Sequence, residues 1–347
     1  MSSAQLGFFE QEVLVCYERL DKMNDPLSKI ENVVDWSGLE TLMKGIKFDR
    51  DYNGKGGRKP LCGLMMAKIL LLQSLYNLSD EAVEYQLNDR LSFKRFIGLS
   101  FDKKAPDAKT IWLWRERIKH GNLADKIFSW FEEPLILKGY QAQKGQIMDA
   151  TFVPTHKPTG KHKKQLEEEV PLTKRQAEQI DPDATFTKKN GRSHHGYKNH
   201  ISIDNQHKFI RKQETSTASL HDSQKQEALL QEVPEEASEA DKNVWGDAAY
   251  ASKEAEKMLK EKGLSSHIHA RAYRNSPLSD MQKESNHIRS KVRARVEHIF
   301  GHMATSMGGL MIHTMGIARA KVKVTFKNLA YNIQRFSFFE HRKMLTI

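Results

Sequence analysis

Residues 146–153 read QIMDATFV, an apolar run that holds one carboxylate, Asp149. A short run of this kind predicts a buried strand. An acid in such a strand costs free energy unless water, a partner or a metal satisfies it. Residues 243–247, NVWGD, repeat the pattern on a smaller scale: a short apolar strand that closes on Asp247. Ligand sites in α/β sheets gather at strand ends, which makes the two aspartates candidates. A turn role is the plain alternative for each.

Around these strands the C-terminal half alternates between strand and helix. Tyr197 to Asp204 and Lys208 to Thr217 predict a hairpin joined by a tight polar turn. His221-Asp222-Ser223 opens a short helix, with Asp222 as its N-cap or as support for a site. A helix over Ser252–Glu261, a strand near Ser266–Ala270 and a long helix from about Gln282 to Met303 follow. This order argues an α/β core with a mixed sheet. Trp245 is expected in that core. A last, basic helix carries Val322, Phe326, Leu329, Ile333 and Phe336 as one apolar stripe, with Lys321, Lys327 and Arg335 elsewhere around the axis, as on a solvated face. Residues 154–195 stand apart: four prolines, little apolar content, and nine Lys and Arg against six acids. They predict a polar, mobile arm able to settle on DNA.

Residues 1–139 read as helical. Leu61, Leu64, Met65, Leu71, Leu72 and Leu75 recur at helical spacing after Pro60. Ser79 or Asp80 caps a helix through Asn88, and Asp107–Lys119 makes another in which Ile111, Trp114 and Ile118 share a face. A small bundle fits this pattern, either as a helix-turn-helix DNA reader or as a packing or dimerisation domain. The loop YNGKGGRKP, residues 52–60, is a flexible linker or a phosphate contact, and it lacks the spacing of a P-loop. The expected division is therefore a helical domain over 1–139 and an α/β domain over 140–347 with its arm at 154–195.

The formal net charge is +11 and the pI about 9.4. Nucleic acid or an anionic membrane surface is the partner such a charge favours. No stretch approaches 18 uninterrupted apolar residues and the first twelve lack a signal-peptide pattern, so a cytoplasmic, nucleoid-associated protein is expected. Cys16 and Cys62 have no zinc-finger spacing and read as small buried hydrophobes. His194, His195 and His200 likewise lack a convincing zinc spacing.

Glu297 lies on the long helix, in RVEHIFGHM, about 100° around the axis from Val296. It therefore borders the stripe of Val292, Val296, Ile299 and Met303. Arg293, four residues earlier, pairs with it on the same face, a contact worth a few tenths of a kcal/mol. Were Glu297 to meet Asp149 and Asp247, the three charges would repel by roughly 4 kcal/mol per pair at about 4 Å. A hard divalent ion is the natural remedy. Mg2+ takes carboxylate oxygens and leaves room for phosphate, and a pair of such ions promotes in-line displacement at a phosphodiester. Composition does not select these three from 44 acids.

The set QIMDATFV, DPDATFTKKNGRSHHGYKNHISID, TASLHDSQ, VWGDAAY and RARVEHIFGHM resembles the catalytic blocks of bacterial insertion-sequence transposases of the IS-five type. LLLQSLYNLSDEAVEYQLNDRLSFKRFIGL with PDAKTIWLWRERI resembles their helical N-terminal domain, so the likeness spans roughly residues 30 to 335. It implies an RNase H-like core, a mixed sheet flanked by helices, with an Asp-Asp-Glu triad at Asp149, Asp247 and Glu297. The spacings are 98 (247 − 149) and 50 (297 − 247) residues. Of the family's tyrosine, arginine, glutamate and lysine on the last catalytic helix, Arg293 and Glu297 match, whereas Ser290 and Ala304 stand at the other two positions. The resemblance further implies Mg2+, with Mn2+ as a substitute, and DNA partners in the form of terminal inverted repeats and a target. A homodimer or larger assembly on DNA is expected. Arg293, Lys198, Lys188, Lys189 and Arg192 are the candidate DNA contacts. A structure-selective nuclease, or a silenced descendant acting as a DNA-binding repressor, would share the same fold.

Overall fold

The computed structural model describes residues 8–46, 61–158, 173–189, 191–272 and 276–345. The glycine-and-cation loop at 52–60 lies outside them. By contacts the chain divides into two units, Met1–Pro134 with Leu329–Ile347, and Leu135–Asn328. The expected division at 139/140 instead kept the last residues with the α/β domain.

The first unit is helical: α1 (Phe8–Lys22), α2 (Pro26–Val33), α3 (Ser37–Lys44), α4 (Gly63–Tyr76), α5 (Asp80–Asp89), α6 (Leu91–Phe96), α7 (Ala108–Ile118) and α8 (Leu123–Trp130), with α9 (Glu132–Leu137) at its boundary. Helix α4 is apolar on every side, and every residue from Met66 to Leu75 is buried, as befits a central helix. Its single ammonium, on Lys68, donates to Glu31 at 2.6 and 2.8 Å and lies 4.7 Å from the Trp36 ring centre. Ser79 is the N-cap of α5, accepting from the Ala82 N–H, and Asp107 caps α7 through Thr110. Ile111, Trp114 and Ile118 do share a buried face. Beside them Arg115 makes a two-pronged pair with Asp80 at 2.7 and 2.6 Å. The cysteines depart from expectation. Cys16 is half-buried and Cys62 is exposed, because Cys62 precedes α4 as its N-cap rather than entering its packed turns.

The second unit is built on a mixed sheet. Its strands are β1 (Gln146–Pro154), β2 (Thr185–Lys189), β3 (Arg192–Asp204), β4 (Ile210–Thr217), β5 (Asn243–Gly246) and β6 (Ser265–Ile268). The order is β2-β3-β1-β5-β6, with β4 also paired to β3. β1 runs antiparallel to β3 and parallel to β5, and β5 parallel to β6. The helices are α10 (Lys174–Ala177), α11 (Gln226–Leu229), α12 (Lys253–Glu261), α13 (Asp280–Thr305) and α14 (Ile317–Met344), the last of which runs on into the first unit's residues. Ser252 caps α12, and a reciprocal Ser279–Gln282 capping box starts α13. One face of the sheet buries Met148, Val244 and Tyr250 with Leu229 and Leu259; the other buries Val153 and Tyr197 against Ala320 and Val324 of α14. Trp245 is buried as expected.

Two expectations need correction. Residues 154–195 are not all a loose arm: they hold α10, β2 and the first four residues of β3, and β2 pairs with β3 from Thr185↔Gly196 to Lys189↔Arg192. Polar tethers replace the missing apolar area. The buried Asp181 accepts from the Tyr197 hydroxyl at 2.7 Å and from the Gly316 N–H, while Asp183 accepts from the Ile317 N–H, so both carboxylates sit at the start of α14. Nor is α14 wet on the side of Lys327. That residue is buried, donates to the Met307 carbonyl, and burial pulls its pKa down to about 8.

Gly196 adopts φ +139°, and a Cβ there would collide with the carbonyl oxygen of Val153 on β1. Gly196→Ala should therefore cost about 2–4 kcal/mol. Gly301→Ala, within α13 where a Cβ meets nothing, should instead gain about 0.5–1 kcal/mol. Thermal unfolding of the two variants should shift in opposite directions.

Candidate active site

Asp149 does not end its strand. β1 continues to Pro154 along β3, whereas pairing with β5 stops at Ile147↔Trp245. Two steps further on, the parallel register brings Asp149 beside Asp247, the first residue after β5. Asp149 is thus a mid-strand acid at the point where its neighbour has ended. Its residue exposure is 8%. One carboxylate oxygen accepts from the Ala150 N–H at 2.8 Å, and the other faces Arg293 at 3.4 Å. Burial pushes its pKa up to about 6; the Arg293 charge and the Ala150 N–H oppose the rise, the Asp247 charge adds to it and Lys189 opposes it. Asp247 caps a short 3-10 turn, Ala248–Tyr250, by accepting from the Ala249 N–H at 2.9 Å.

Glu297 is more open than its place beside the apolar stripe suggested, with 56% of its side chain exposed. It accepts from Arg293 at 2.9 Å. One guanidinium on α13 therefore touches both Asp149 and Glu297. The expected i, i+4 pair exists, but it is also a link between strand and helix. Among the described residues no three Asp, Glu, His or Cys side chains are gathered as a ligand set. The arginine occupies the gap between two of the three carboxylates.

Sequence reasoning missed Tyr250 beside this centre. The Tyr250 hydroxyl is buried with no hydrogen-bond partner among the described residues; burial raises its pKa, and the charges of Asp149, Asp222 and Asp247 add to the rise. Asp222 is not the N-cap, a role taken by His221. It instead accepts from Lys198 at 2.8 Å, and Lys198 also donates to the Leu220 carbonyl. Lys198 is thus engaged internally, whereas Lys188, Lys189 and Arg192 stand exposed on the β2–β3 hairpin. The three histidines are held apart. His194 stacks on Phe152, His195 meets the Thr155 hydroxyl, and His200 meets Ser216, with a pKa lowered by burial to about 4. Ser290 donates to the Asn286 carbonyl within its own helix.

Comparison with known proteins agrees with this architecture. Residues 140–333 match the family described as "Transposase DDE domain". This chain belongs to the DDE-domain transposases. Residues 14–117 match "Transposase domain (DUF772)", so both units carry transposase signatures and the second is an RNase H-like core preceded by helices. The cryo-EM structure of the piggyBac transposase synaptic complex with hairpin DNA aligns at 13% identity and a TM-score of 0.47, covering 93% of this chain and 76% of that one. No described helix of the transposase is long and apolar enough to cross a membrane.

DDE transposases work with divalent metal ions, and the residues here fit one. Two neighbouring oxygen donors, one buried and strained towards its neutral form, are what a hard cation would stabilise. The sign for folding follows from a native pKa of about 6 against an ordinary 3.8. Asp149 is tolerated fully below about pH 4, and that stability is lost as pH rises through 6. Asp149→Asn keeps the acceptor for Ala150 and removes the buried charge. It should raise the unfolding free energy at pH 7.5 by on the order of 2–3 kcal/mol, with a higher melting temperature, and leave both unchanged near pH 4. Mg2+ should stabilise the parent protein and not this variant. Calorimetry at the two pH values, with and without Mg2+, checks all three outcomes.

Proposed function

We propose that this protein is the transposase of a bacterial insertion sequence of the IS-five type. In this reading it cuts DNA at the element's terminal inverted repeats and joins the freed 3′-hydroxyl ends to target DNA. The observation that carries the reading is the convergence on one guanidinium of Asp149 and Glu297, from a central strand and a long helix, with Asp247 at the next strand end. Asp149, Asp247 and Glu297 would hold Mg2+ or Mn2+. Bound there, the ions supply charge neutralisation and activation of the attacking and leaving oxygens in an in-line displacement.

The chain's own residues prepare that event. Burial keeps Asp149 within reach of neutrality until a cation arrives, and the Ala150 N–H fixes one of its oxygens. Asp247 is oriented by the turn it caps. Glu297, exposed and, among the described residues, tied by an arginine four residues away, can rotate inward without breaking the core. Arg293, once released from the carboxylates, becomes a phosphate ligand at the same spot. Lys188, Lys189 and Arg192 would hold the flanking backbone, with the helical first unit as a DNA-binding or dimerisation module. Two ends must be held together, so two or more protomers assemble on DNA, in the cytoplasm at the nucleoid.

The test is Mg2+-dependent cleavage of labelled duplex carrying the element's end. Asp149→Asn, Asp247→Asn and Glu297→Gln should each cut at least about 10³-fold more slowly, roughly 4 kcal/mol of barrier, with duplex affinity changed less than about threefold. Tight binding by the parent without cutting in either metal would replace this reading with the silenced DNA-binding protein. Cutting without joining would replace it with the nuclease.

A further inference from the structure

The sheet face turned away from α14 carries an aromatic pair that neither the core nor the acidic centre uses. Phe152 of β1 and His194 of β3 are stacked, with ring centres 4.2 Å apart and planes 9° from parallel. Both are half-buried. Their contact follows from the register. Phe152 lies opposite Lys198, and two residues further along β3 stands Gly196, which has no side chain to separate Phe152 from His194. The Lys189 and Lys198 ammonium groups lie 5.9 and 5.7 Å from the Phe152 ring centre. Among the described residues His194 has Phe152 as its ring partner, so the imidazole is the outer member of the stack. Lys189 and Arg192, exposed, face each other at the end of the hairpin.

A flat ring pair bordered by cations suits a nucleobase with its phosphate: the base continues the stack and the backbone meets the lysine and arginine. A duplex offers only its backbone here, because its bases are already stacked on one another. Phe152 is three residues from Asp149, so side-chain alternation along β1 puts its ring on the opposite face of the sheet from that carboxylate.

We propose that Phe152 and His194 seat an unpaired DNA base on the sheet face opposite Asp149, with Lys189 and Arg192 holding its phosphate. The proposal rests on the reading of the protein as a DNA-cutting transposase, and it adds a single-strand subsite to it.

The probe is an 18-nucleotide single strand with a central 2-aminopurine, used alone and annealed to its complement, with the full-length protein in EDTA. The parent should bind the single strand and quench its fluorescence. Phe152→Leu and His194→Ala should each weaken single-strand binding about five- to tenfold and reduce the quenching, while duplex affinity stays within twofold. Phe152→Trp should retain both signals. Lys189→Ala should weaken both probes. Unchanged single-strand affinity in the leucine and alanine variants would overturn the subsite, and so would equal losses on both probes. His194→Ala, at a half-buried position, decides the matter if Phe152→Leu does not fold. Duplex binding and Mg2+-dependent cutting that persist alongside a failed stacking result would sink the subsite alone; loss of all DNA binding by the parent would sink the transposase reading with it.

Discussion

The pairing of β1 with β3 on one side and β5 on the other is the contact on which the second unit depends. Because the β5 ladder is short, it ends while β1 is still fully paired on its other edge. That mismatch in length opens a gap on one side of β1, in the middle of the sheet. A carboxylate located there is buried, with β3 paired on one side and no strand on the other. The acid, its electrostatic discomfort and the room for a ligand therefore share one cause.

Arg293 makes this arrangement tolerable in the absence of a ligand. Its guanidinium reaches a strand residue and a helix residue at once, and its remaining nitrogen, Nε, is buried with no partner among the described residues. A buried donor left unmatched costs about 1–3 kcal/mol. The arginine is thus held by two weak attachments and one unmet need, which favours exchange of partners over permanence.

Much of the fold is legible in the sequence because its signals are local. The α13 capping box, the Ser79 and Asp107 caps and the β3–β4 hairpin follow from residues within a few positions of one another. The triad positions, by contrast, came from resemblance, since spacing alone does not single out three acids among many. What sequence reasoning could not reach is long-range and polar. The ties from Asp181 and Asp183 to the start of α14 span more than a hundred residues, and they anchor the segment just before β2, whose composition reads as disordered. The Lys198–Asp222 pair and the unpartnered Tyr250 hydroxyl left no periodic trace either. The solvent-facing position of Glu297 depends on how α13 is rolled against the sheet, which a helical wheel does not fix.

Several of the cations that make up the formal charge of +11 do not face outward. Lys68, Arg115, Lys198, Arg211 and Lys327 are engaged with carboxylates or carbonyls inside the two units. Such groups neutralise no phosphate and so release no counterions from DNA. The slope of log affinity against log salt reports only those cations that meet phosphate, at about 0.9 per contact on duplex. A protein of this kind should therefore bind DNA with a milder ionic-strength dependence than its isoelectric point suggests, and its field should be concentrated where the β2–β3 hairpin leaves lysine and arginine bare.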